Sequence, residues 1–263
     1  LMTTTTFDLR RPLGRLVLTG LAHVGRLSLL VAEMVRGLSE WRVWFPRAII
    51  EAWNIGVGSL PSILLVAGFA GAVTALQTGY QFSGNIPYYV AGSLIVESVV
   101  LELGPVLTGL ILAGRIGARY AAELGTMRVT EQIDALVTLS TNAFKYLVGP
   151  RLIAAVITLP ILVAIGDTIG IMGGYIVGTR SLGLNSYAYL KTTSDFLDVD
   201  DVTSGLIKAA VFGLIIAVMG CYHGFNSRGG AQGVGRATTN AVVSASILIL
   251  AANFVLTNLL FSE

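Results

Sequence analysis

The chain has 263 residues, 54% of them hydrophobic and only 12% charged, with a net charge of +2 and a mean hydropathy of +0.77. Soluble domains carry about 25% charged residues, and a soluble chain of this composition would run out of polar side chains to cover its surface. Composition therefore excludes a soluble globular enzyme, and the small net charge gives no reason to expect a nucleic-acid partner.

Cysteine and histidine exclude more chemistry. A single cysteine, Cys221, allows no intrachain disulfide. With only His23 and His223 beside it, no structural metal site is expected. Cys221 lies in an apolar run and reads as a small packing residue.

The first 50 residues form a segment of their own. They are basic, but they lack the short apolar core and small-residue cleavage site of a secretory signal. Over residues 8–48, Leu13, Leu16, Val17, Leu21, Val24, Leu27, Val31 and Met34 recur at helical spacing, while Arg11, Arg15, Arg26, Glu33 and Arg36 interrupt any run long enough to cross a bilayer. Trp41, Trp44 and Phe45 follow, just before Pro46. An amphipathic helix lying in the membrane interface fits this pattern.

Five apolar segments in residues 51–263 are each long enough to span, since a crossing needs about 20 residues. They run over residues 55–77, 89–113, 152–177, 202–222 and 237–261. The second contains Glu97 and Glu102, the third Asp167, and the fourth Lys208 near its start. With five spans, Arg10 to Arg47, the group Arg115, Arg119, Arg128, Lys145 and Arg151, and the pair Arg228 and Arg236 all fall on one side. The other side holds Arg180, Lys191 and Lys208 with Asp195, Asp198, Asp200 and Asp201. The positive-inside rule then places the N-terminus in the cytoplasm and the C-terminus outside. Gly166, Gly170, Gly174 and Gly178 recur every fourth residue in the third span, a small-residue stripe suited to close helix packing.

No G-x-x-x-x-G-K-[ST] phosphate loop occurs, and no Gly-Lys pair of any kind. The stretch SRGGAQGVG at residues 227–235 lacks the lysine and reads as a flexible turn. No nucleophile, base and acid come together in a motif, so the chain is expected to be non-enzymatic and to bind no cofactor; if ATP drives it, another chain binds the ATP. The unusual connection is GRIGARYAAELGTMRVTEQIDALVTL, residues 114–139, helix-rich with mixed charge. Ile133, Leu136 and Val137 give it an apolar stripe, and Thr130 is a plausible N-cap for a short helix starting at Glu131. An amphipathic helix in a cytoplasmic loop suits docking into a partner groove.

This segment resembles the signature of the MlaE/YrbE-type permease family, the membrane subunits of ABC lipid transporters. ELGPV at residues 102–106, GPR at 149–151, LIKAAVFG at 206–213 and GVGRATTNAVVSASILILAANFVLTNLLF at 233–261 extend the likeness in the same order. The resemblance implies a homodimer enclosing a lipid cavity in the bacterial inner membrane, each protomer with an N-terminal interfacial helix and five spans. It also implies a cytoplasmic ABC ATPase carrying ATP and Mg, a ring of MCE-domain proteins on the periplasmic face, and a possible small cytoplasmic accessory subunit. The substrate would be phospholipid moved between inner membrane and outer envelope, which helps maintain outer-membrane lipid asymmetry.

Carried onto this sequence, the resemblance puts ATPase coupling on a helix over residues 123–139, with Glu123, Gly125, Met127, Thr130, Glu131, Gln132, Asp134 and Ala135. It puts the lipid cavity at Val73, Leu76, Gln77, Tyr80, Glu102 and Leu103. One departure is Leu101, where many relatives carry a basic residue before the Glu of ELGPV. Read without the family, Glu102 inside an apolar span needs a partner or a polar cavity. The alternative is an ion-coupled secondary transporter using Glu102 and Asp167; such proteins are commonly built from internal repeats, and none is evident here.

Overall fold

A computed structural model describes Gly25 and residues 41–81, 90–140 and 142–261. The interfacial helix expected over residues 8–48 lies almost wholly outside the described residues. Those described are helical, with short connections, and no strand occurs among them.

Five helical segments are long and apolar enough to cross a membrane: Trp44–Gln81, Gly92–Val129, Phe144–Ser181, Val199–Phe225 and Gly230–Leu260. They match the five expected spans in order but extend well past their predicted ends. The first three are 38 residues each, roughly 57 Å at 1.5 Å per residue, against a hydrocarbon core of about 30 Å. The apolar run in the sequence marks only the part that must sit in hydrocarbon; the helix continues into polar residues beyond it.

The second span shows this most clearly. The sequence places its end near residue 113, with Arg115, Arg119 and Arg128 in a separate helix-rich cytoplasmic connection. Instead the helix runs on to Val129, through π-helical turns at Val99–Leu103 and Ala113–Gly117. A third π turn, Phe144–Val148, opens the third span. Single π turns inside helices mark an inserted residue and occur often at functional sites. The extension also moves Glu102 from mid-span to the first third of its helix.

The first and third spans pack against one another most extensively, because their glycines let the backbones touch. A Cβ built on Gly71 would lie 1.8 Å from the carbonyl oxygen of Gly170, and one on Gly173 would lie 2.3 Å from that of Gly68. Gly166, Gly170, Gly174 and Gly178 are all buried, so the stripe is a packing surface. Leu112, Ile116, Tyr120, Leu159, Phe212 and Ile216 form the apolar centre where the second, third and fourth spans meet. The fifth span buries only Gly233, Ala237, Ala241, Ala245 and Ile249 along one narrow stripe. Val243, Ile247, Leu250, Phe254 and Leu259 are exposed on it, as expected for a helix facing lipid or a second membrane subunit.

At one end of the bundle, a short helix Ser186–Phe196 joins the third and fourth spans. Asn185 caps it through its side chain, and Asp198 caps the fourth span, whose first turn also holds Asp200 and Asp201. At the other end, the glycine-rich stretch read as a turn over residues 227–235 is mostly helix. Asn226 closes the fourth span, Gly229 takes the left-handed conformation at φ 92°, and the fifth span starts at Gly230.

Candidate functional site

Two groups of residues stand out, at different levels of the bundle. The first is a polar cluster inside the spans, centred on Glu102. Its carboxylate is held from two other helices. Lys208 Nζ on the fourth span donates to Oε1 at 2.7 Å; on the fifth, Thr257 Oγ1 donates to Oε1 at 2.9 Å and Asn253 Nδ2 to Oε2 at 2.7 Å. Lys208 also donates to the backbone carbonyl of Leu101 at 2.9 Å. That carbonyl lies four residues before Pro105, which has no N–H to donate back to it, so it is open to a side-chain donor.

Lys208 is 0% exposed, whereas the Glu102 side chain is 40% exposed. A fully buried lysine is tolerable only when paired and hydrogen-bonded, and Glu102 and Leu101 supply that. The cation that balances Glu102 thus comes from the fourth span. Sequence reading placed Lys208 near a span end and passed over Asn253 and Thr257. An ionisable residue inside a span calls for a partner, which points to Lys208; Asn253 and Thr257 are neutral and carry no such signal.

The remaining residues expected around a lipid cavity are spread out. Leu103 lines a narrow apolar crevice with Ile63, Ala67, Ala70, Thr108 and Gly166. Val73, Leu76, Gln77 and Tyr80 are exposed on the first span, Tyr80 to 82%. Within one protomer they do not meet Glu102, whose hydrogen-bond partners all lie on the fourth and fifth spans. Asp167 is separate again: it rests against Gly104, and its Oδ1 is buried without a hydrogen bond. Among the described residues no three His, Cys, Asp or Glu side chains gather as metal ligands.

The second group lies at the end of the second span. The helix expected over residues 123–139 is two helices: the span ends at Val129, and a separate short helix covers Gln132–Thr138. Thr130 is not an N-cap. Its Oγ1 donates back to the Thr126 carbonyl at 2.8 Å, so it closes the preceding helix. Glu131 makes the break, in the left-handed region at φ 60°, and Ser140 makes another at φ 58°. Non-glycine residues take this conformation uncommonly and at a cost.

The eight residues assigned to coupling divide here. Thr130, Glu131, Gln132, Asp134 and Ala135 are exposed together on the turn and short helix. Glu123, Gly125 and Met127 instead pack within the bundle. Glu123 accepts from Arg119 Nε at 2.7 Å and Arg151 Nη2 at 3.0 Å. Gly125 lies against Ser227 just before the fifth span and Val234 in its first turns, and Met127 packs on the core. Ile133 is buried and Leu136 half-buried, which fix the short helix, and Asp134 pairs with Arg128 on the span. Val137, expected on the inner stripe, is exposed, as is Leu139 at 74%.

A family model described as Permease MlaE matches residues 48–259. The chain belongs to the Permease MlaE family. A probable ABC transporter permease protein of Rickettsia bellii is 50% identical over 238 residues, covering 90% of this chain and 92% of the relative. A protein of the same description from Synechocystis is 41% identical over 216 residues, 82% of each chain. The intermembrane phospholipid transport system permease protein MlaE of Haemophilus influenzae is 33% identical over 254 residues, 95% of this chain and 96% of the relative. Both groups of site residues lie inside the matched MlaE region. This MlaE-family chain is therefore a multi-pass membrane permease of the ABC type.

Proposed function

We propose that this chain is the membrane subunit of an ATP-driven phospholipid transporter, moving lipid between the inner membrane and the outer envelope and so helping maintain outer-membrane lipid asymmetry. The observation that carries this reading is the family match over residues 48–259, which includes a relative described as an intermembrane phospholipid transport permease. The polar cluster on Glu102 adds physical support. It sets a partly exposed carboxylate, a buried lysine and two neutral hydrogen-bonding side chains inside apolar spans, an arrangement costly to keep without a polar task.

In this reading the end holding the short helix Gln132–Thr138 is cytoplasmic, and the Asp-rich end near residues 195–201 is periplasmic. A separate ATPase, carrying ATP and Mg, docks on Thr130, Glu131, Gln132, Asp134 and Ala135, with Val137 and Leu139 as apolar contacts. Two copies of the chain enclose the cavity, so Val73, Leu76, Gln77 and Tyr80 face the partner copy or its lipid. An MCE-domain ring caps the periplasmic end, and a small accessory subunit joins on the cytoplasmic side. The ion pairs Arg128–Asp134 and Glu123–Arg151 link the short helix to the second span and the second span to the third, a route by which its motion would reach both.

The ion-coupled alternative has less behind it. The oxygens of Glu102 are engaged by Lys208, Asn253 and Thr257, and Asp167 has no hydrogen-bonding link to them. Purification of the tagged chain in mild detergent, with mass spectrometry of co-eluting protein and lipid, tests the proposal. An ATPase and phospholipid are expected; an intact native complex lacking an ATPase would overturn it.

A further inference from the structure

A second polar crevice opens at the bundle end that carries the short helix, between the starts of the first and third spans. Its cavity volume is about 190 Å³, below the about 300–1,000 Å³ of sites that bury a whole drug-sized ligand, so it suits a small polar headgroup and not an entire lipid. Arg47, Glu51, Tyr146 and Arg151 supply its polar groups, and Ile50 and Leu147 its apolar flank. Of these residues only Arg151, through its tie to Glu123, enters the transport reading above.

The side chains of this crevice are held in place but incompletely satisfied. Arg47 stacks over the Tyr146 ring, 3.4 Å from its centroid, and its Nη2 donates to the Tyr146 hydroxyl. Its Nη1 is buried with no hydrogen bond. Arg151 is 8% exposed; Nη1 donates to the Leu147 carbonyl and Nη2 to Glu123, which leaves Nε buried and unpaired. Oε2 of Glu51 is likewise buried without a partner. Arg47 and Glu51 stand one helical turn apart, where ion pairs commonly form, yet these two atoms do not pair. Buried polar atoms without partners are rare and costly. Here a cationic donor and an anionic acceptor are left open in the same crevice.

We infer that this crevice binds the headgroup of a phospholipid carrying both a phosphate and a primary ammonium, with Arg47 and Arg151 taking the phosphate and Glu51 the ammonium. A purely anionic headgroup would bring like charge to Glu51. A quaternary ammonium has no N–H to give its Oε2. A primary ammonium has three donors, so the crevice should discriminate by headgroup rather than by charge alone. A membrane source fits the position: the long apolar runs of both helices begin just beyond it, near residues 55 and 152, and the apolar flank of Ile50 and Leu147 would meet the glycerol end.

The full-length chain in nanodiscs, with a phosphatidylethanolamine photoreactive at the glycerol end of one acyl chain, gives a direct test. The readout is labelling of the tryptic peptide spanning residues 146–151, in competition with unlabelled lipids. Neither transport nor ATP hydrolysis enters it. Phosphatidylethanolamine should compete about tenfold better than phosphatidylcholine or phosphatidylglycerol, the value of one charge-assisted hydrogen bond. Glu51→Gln should abolish the preference over phosphatidylcholine, and Arg47→Gln should lower labelling outright. The Glu51→Gln result is a ratio within one folded protein, so it stands even if Arg47→Gln folds poorly. Absence of labelling, or an unchanged ratio in Glu51→Gln, would overturn the site. Equal competition by soluble phosphoethanolamine would overturn the membrane source.

Discussion

Lys208 and Glu102 meet at 2.7 Å across the second and fourth spans, the lysine fully buried and the carboxylate partly open. Removing one member of a buried pair leaves the other uncompensated, and the more buried survivor suffers more. Glu102→Gln should therefore cost more stability than Lys208→Met, about 3 kcal/mol against a smaller loss. The double variant should recover much of the difference. Thermal unfolding in detergent micelles checks the order; equal losses with no recovery would argue against coupling.

Glycine at position 71 is required by space. Gly71→Ala would place a methyl 1.8 Å from the Gly170 carbonyl oxygen, so the first and third spans would have to separate. Overpacking of this kind costs about 1–3 kcal/mol. By contrast, Gly114→Ala, with nothing within 4 Å of its Cβ, should be neutral or mildly stabilising. The two variants compared by melting temperature give a clear sign difference.

Glu123 and Glu131 lie in the same expected segment but should behave differently. Glu123 bridges Arg119 and the buried Arg151, so Glu123→Gln should lower the melting temperature. Glu131 is exposed, so Glu131→Lys should leave folding intact while weakening capture of the ATPase or uncoupling hydrolysis from transport. If Glu131→Lys keeps both capture and coupling, the docking assignment fails.

Cys221 is buried and free in the fourth span. A membrane-permeant maleimide should label it slowly in the folded protein and quickly after denaturation. Rapid labelling of the native chain would mean that the fourth span is less tightly packed than described.

Much of this architecture is legible in the sequence, because hydrocarbon demands long apolar helices and nothing in a soluble core imitates five of them. The glycine stripe at residues 166–178 likewise announces its packing. Helix ends are less legible. Arg115 and Arg119 look like loop residues, but the second span carries them within a helix that continues to Val129. The break at Glu131 is also hidden, since a glutamate gives no signal for a left-handed backbone that glycine or asparagine would. The Glu102 cluster was half visible. Its carboxylate stood out as a charge in a span, but Lys208, Asn253 and Thr257 are more than a hundred residues away, and no local pattern links them.

The central claim is ATP-driven phospholipid movement through this permease. It is tested most directly by reconstituting the purified complex into proteoliposomes holding a labelled phospholipid and following its transfer with and without hydrolysable ATP. ATP-dependent transfer is expected, lost in Glu131→Lys while bound lipid remains, with altered lipid loading in Glu102→Ala. Transfer at equal rates without ATP, or driven instead by an imposed ion gradient, would contradict it.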